Sequence, residues 1–196
     1  PREPRHWRTR PDAFAEVWGR ARLLRGPEAS RAAFLTEAPG ADLLHVATHA
    51  EFDPHHPLRT HLQLGGVTEG RLFPNFAEER VTPLDILRIE LDADLVVLSG
   101  CDTGRSAAVD GDGVLGLHRA FLTAGARSVI SSLWRVDDLT TGVLMKNLHR
   151  GLRETDPAAS LRAAQRRVLA RWPHPAHWAG FRLEGVSAPA ETTAGR

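Results

Sequence analysis

One cysteine in 196 residues excludes an internal disulfide and any cysteine-rich zinc site, and it fits a reducing compartment. No apolar run approaches the roughly 18–20 residues of a membrane-spanning helix. The opening segment PREPRHWRTRP lacks the apolar stretch of a signal peptide. No sign of charge dominates. There are 25 Lys+Arg against 24 Asp+Glu, a net charge of +1, so the whole chain gives no reason to expect nucleic acid or a membrane as partner. G-x-x-x-x-G-K-[ST] and G-x-G-x-x-G are both missing, which removes the usual support for a nucleotide site, and no cofactor is expected. The single methionine is Met145 and the chain opens on proline; it reads as a piece of a longer protein with upstream regions or partners outside it.

What is present describes a globular protein. Apolar residues make up 42% and charged residues 25%, and the length suits one domain with a proper core. Helix-forming segments occupy 14–24 and 27–38, with Pro27 and Glu28 suited to a first turn. LLHVATH (43–49) reads as a buried strand, and LQLGG (62–66) as a short strand within loop-like residues 50–82. A short helix follows at 82–89 and a second buried strand at 95–98. Asp110–Gly113 suits a cap for a helix through Thr123 that places Val114, Leu117, Phe121 and Leu122 on one face, with Gly125 as its stop. A third strand spans 127–134. Asp137 and Asp138 mark a helix start, followed by Leu144, Leu148 and Leu152 at helical spacing. The last helix, 157–171, turns Leu161, Val168 and Leu169 inward, and 177–186 closes as an edge strand. Alternating strands and helices predict an α/β fold: a mostly parallel central sheet with helices on both faces.

Two of these strands end on chemically capable residues, His49 and Cys101. In an open α/β sheet, functional groups gather beyond the carboxyl ends of the strands. A thiol is a weak nucleophile until deprotonated, and a nearby imidazole lowers its pKa or takes its proton. Backbone N–H groups at Ala50 and Cys101 suit a developing oxyanion. Taken singly, a cysteine beside glycine at a strand end is more often a small buried filler. Asp102, Trp134, Asp137 and Asp138 are candidates for a substrate pocket. Trp134 is equally suited to a core, and the two acids either meet a basic substrate side chain or cap the helix. His45, His55, His56 and His61 crowd around His49, but useful zinc spacings are absent, so no metal is expected. DGDG (110–113) lacks the downstream Glu of a calcium loop. A papain-like CGSCW segment is absent too.

LLHVATHAEF, LVVLSGCDTG, LHRAFLTAGARSVISSLWRVDD and HPAHWAGFRLEGV, taken in order, resemble the CHAT domain, a family grouped with caspases, separases and gingipains. The resemblance runs from about Leu23 to Val186, and His49 precedes Cys101 by the interval that caspases use, although SGCDT replaces their QAC signature. It implies a caspase–haemoglobinase-like three-layer sandwich over residues 23–187, with a linker or domain start at 1–22 and a tail at 188–196. It implies a cysteine endopeptidase with Cys101 as nucleophile and His49 as general base and acid. Its substrate would be a protein or peptide, its control would come from a regulatory region or activator outside the chain, and its setting would be cytoplasmic and bacterial in style. The alternative is a catalytically silent interaction module on the same fold.

Overall fold

The computed structural model describes residues 17–18, 21–53, 56, 59–65, 79–100 and 116–187. The chain forms two compact units, Leu24–Arg135 and the combination of Pro1–Leu23 with Val136–Arg196. It is a mixed α/β protein with a mostly parallel sheet.

In the first unit, strands β1 (Leu43–Val46), β5 (Leu95–Leu98) and β6 (Ser128–Ser132) lie side by side and parallel, with β5 between the others. The central strand LVVL is buried at every position, as a strand covered on both faces must be. A smaller antiparallel sheet joins β2 (His49–Glu51), β3 (His61–Gln63) and β4 (Arg80–Val81). Helices α1 (Arg31–Glu37), α2 (Pro83–Ile86) and α3 (Leu117–Thr123) supply Phe34, Ile86, Leu117, Ala120 and Phe121 to the core. These side chains cluster with Val46, Val96, Leu98 and Val129 of the parallel strands and with Leu62 and Val81 of the smaller sheet. Phe34 and Phe121 meet edge to face at 6.2 Å.

Several boundaries differ from the sequence reading. The run 43–49 is not one strand. Its parallel partner β5 ends opposite Val46, and the Ser99 N–H to Val46 carbonyl bond (3.1 Å) is the last rung. Beyond it the chain turns to β3, so His49 opens a new strand rather than closing the old one. The helix expected over 27–38 divides into a 3-10 turn at Gly26–Glu28 and α1, because the Ser30 hydroxyl accepts the Ala33 N–H (3.1 Å) and starts a fresh helix there. Of the helix expected at 14–24, residues 17–18 are helical while 21–25 carry no regular structure. The proposed cap at 110–113 lies outside the described residues, as does Val114; α3 is preceded by Gly116, which offers no side-chain cap. Gly125 does stop α3. Its φ is +119°, and a Cβ there would stand 2.1 Å from the Leu91 carbonyl oxygen.

The second unit packs two long helices together, α4 (Asp138–Gly151) and α5 (Pro157–Arg171), followed by the short α6 (Pro175–Trp178) and by β7 (Phe181–Gly185). Leu144, Met145 and Leu148 are buried on α4, as are Leu161, Ala164 and Val168 on α5. Leu152 is half-buried at the C-cap of α4. Leu169, expected to face inward, is 37% exposed, because one residue beyond Val168 the helix has turned about 100°. The extended segment expected from 177 starts at Phe181, since the His174 side chain accepts the Ala176 N–H (3.2 Å) and opens a helical turn first. Trp18 packs its ring edge to face on His149 of α4 and donates its indole N–H to Nδ1 (2.9 Å). No helix among the described residues is long and apolar enough to cross a membrane.

Candidate active site

Pairing fixes what lies at the carboxyl ends of the parallel strands. His45 is opposite Val97, and Val97 is opposite Ile130. Side chains alternate between faces along a strand. His45, Val97, Ser99, Ile130 and Ser132 therefore share one face, while Val46, Leu98 and Val129 share the other with the core. The shared face ends in a polar row. The His45 Nε2 is 2.8 Å from the Ser99 Oγ, and the Ser132 hydroxyl donates to the Gly100 carbonyl at 2.5 Å. Gly100 is buried and Ser132 is fully so.

The peptide preceding each candidate catalytic residue is thus held. On one side the Thr48 hydroxyl donates to the Gln63 carbonyl, one residue before His49. On the other, Ser132 holds Gly100, one residue before Cys101. His49 is exposed and stands opposite Gln63. An exposed imidazole can exchange protons with solvent and reach a substrate. Ala50, opposite Leu62, lies in regular extended strand and packs partly against the core. Cys101 and Asp102 lie outside the described residues. Trp134 follows β6, half-buried, and its buried indole nitrogen has no hydrogen-bond partner among the described residues.

In the second unit, Asp137 is the N-cap of α4. Its carboxylate accepts the Thr140 N–H (2.9 Å) and the Thr140 hydroxyl (3.0 Å). The Thr140 N–H bond is foremost in holding the Asp137 pKa below the usual carboxylate range, with the Thr140 hydroxyl, His177 and the Leu139 N–H adding to it against a burial penalty. Asp138 is exposed in the first turn. Of the two acids, Asp137 is the one whose oxygens are committed to capping.

The other histidines are dispersed among separate partners. His61 Nδ1 bonds the Arg59 carbonyl (2.9 Å) and its Nε2 lies 3.6 Å from Glu51. His56 pairs with Asp53 at 3.5 Å, and His55 lies outside the described residues. No group of three metal-ligating side chains occurs among the described residues. Sequence reasoning weighed His45 only as a zinc ligand and passed over Thr48, Ser99 and Ser132. The available signal was parity. His45 interrupts an apolar strand, and Ser99 falls on the same face of its neighbour.

A family model described as "CHAT domain" matches residues 8–186, and the chain belongs to that family, which is related to caspase-like peptidases. Tetratricopeptide repeat protein 28 of Homo sapiens is 36% identical over 115 residues, 57% of this chain and 5% of that protein. Its Mus musculus counterpart is 35% identical over 115 residues, with the same coverage of 57% and 5%. The chain therefore spans about 5% of the length of the curated relatives it matches. Both are mammalian proteins, which lends no support to the expectation of a bacterial setting.

Proposed function

We propose that the domain is a cysteine endopeptidase on a caspase-like three-layer sandwich, with Cys101 as nucleophile and His49 as proton carrier. One observation carries most weight: the residues directly preceding both side chains are tied down in one unit, at the carboxyl ends of neighbouring parallel strands. The Cys101 sulfur would attack the scissile carbonyl as its proton passes to His49. The resulting tetrahedral oxyanion would be met by the N–H groups of Ala50 and Cys101. Collapse would break the C–N bond, with His49 protonating the leaving amine, and leave a thioester. Water, deprotonated by His49, would then release the carboxylic acid and regenerate the thiol. Trp134, Asp102 and Asp138 are the remaining pocket candidates. Control would rest with a region or partner outside the domain, which we take as 23–187.

A second reading, a silent interaction module, is favoured by the relatives, whose name speaks of tetratricopeptide repeats and of no peptidase. A diverse peptide library separates the two. Cleavage by the wild-type chain that disappears in Cys101→Ala supports the enzyme. Identical product patterns from both proteins would sink it.

A further inference from the structure

The hydrogen bond between His45 and Ser99 has no obvious packing purpose. β1 has four residues, three of them Leu or Val, and a fourth apolar residue would fill the strand without the cost of placing an imidazole among them. Ser99 is held twice, by the imidazole at 2.8 Å and by its own N–H to Val46 at 3.1 Å. Gly100 follows, with its carbonyl on Ser132. The His45–Ser99 and Ser132–Gly100 bonds act on residues beyond Leu98, the last residue of β5. Their one shared covalent consequence is to fix the peptide from which residue 101 departs.

We infer that His45 is a positioning residue, which through Ser99 fixes the backbone that carries Cys101 and so sets the alignment of the thiol with His49. This rests on the peptidase reading above. The contact that assigns His45 this role is the one with Ser99. It acts through Ser99, as a second layer of hydrogen bonding orients a reactive group in other sites. Loss of one such bond, worth about 1 kcal/mol, corresponds to roughly a fivefold change in a rate or an ionisation constant.

The chain's single cysteine makes its alkylation by iodoacetamide an unambiguous probe. The second-order rate is measured against pH for the wild type, His49→Ala, His45→Ala, His45→Gln, Ser99→Ala and the His45→Ala/Ser99→Ala double variant, with thermal unfolding beside it. A thiol paired with His49 titrates below a free one, so His49→Ala should raise the midpoint. His45→Ala and Ser99→Ala should each raise it by roughly half a unit or more, with the double variant no worse than either. His45→Gln, whose amide reaches the former Nε2 position, should restore it. Lowered melting temperature with an unmoved midpoint in both single variants would mean a merely structural bond and overturn the inference while leaving the His49 pairing intact. If His49→Ala itself leaves the midpoint unmoved, the peptidase reading falls and the positioning role falls with it. Should His45→Ala fail to fold, Ser99→Ala and the glutamine variant decide alone.

Discussion

Among the described histidines, burial and bonding divide the labour. His149 is buried, its Nδ1 accepts the Trp18 indole proton, and burial pushes its pKa down to about 4. His118 is also buried, and His61 is held by the Arg59 carbonyl. His49 keeps an exposed ring at the start of a strand whose preceding residue is pinned. A general base must reach both solvent and substrate, which His149 cannot. His49→Ala is therefore expected to remove nearly as much peptide cleavage as Cys101→Ala, because nucleophile and base act as a unit. The double variant should be little worse than either single one. Single-turnover cleavage of a fluorogenic peptide set measures this, and near-normal turnover in His49→Ala would count decisively against the dyad.

At the scale of elements, the two neighbouring acids have different expectations. Asp137→Ala removes the cap of a long helix and should cost about 0.5–2 kcal/mol in urea unfolding, with no change in which side chain is preferred at the cleavage site. Asp138→Ala should cost far less stability, since that side chain is exposed and is not the cap. A reversed result, with Asp137→Ala altering preference and leaving stability alone, would return Asp137 to the pocket. Gly125→Ala should exceed the cap loss, because the new Cβ would collide with the Leu91 carbonyl at a positive φ. Gly125 was legible as a helix stop, and the apolar runs that became β1, β5 and β6 were legible as buried strands, because both signals are local. The end of β1 was not. It depends on where β5 stops, a property of pairing rather than of the segment 43–49. His49 was legible by residue type and its place near a strand end. His45 was legible as a polar residue interrupting an apolar strand, but its alignment with Ser99 and Ser132 was not, because sequence does not give the register between neighbouring strands.

At the scale of the molecule, the shifted groups predict how stability depends on pH. His149 is neutral when folded and has a depressed pKa, about 4 against 6.5 unfolded. Between these values the unfolded chain binds a proton that the folded chain refuses, so falling pH favours unfolding across that window. The contribution is complete above pH 6.5 and lost progressively down to about pH 4, at a cost of roughly 3 kcal/mol. The carboxylates act later. Burial works against Asp85, but its hydrogen bond from Arg31 (2.6 Å) and the bonds from Thr82 hold its pKa below the ordinary value. Asp156 is lowered first by the Ser187 hydroxyl and then by the Ala159 N–H, and Asp137 by Thr140. Their contributions are present above the unfolded value of 3.8 and disappear as pH falls through the lower folded values. Acid unfolding should therefore show two stages. The first, between pH 6.5 and 4, comes from His149 in the unit containing α4 and α5; Asp85 in the other unit contributes only at lower pH. Urea unfolding at stepped pH measures the slope. His149→Asn keeps an acceptor near the Nδ1 position and removes the titration, so it should lower stability at every pH yet flatten the first stage. An unchanged slope in that variant would detach the acid response from the Trp18–His149 contact.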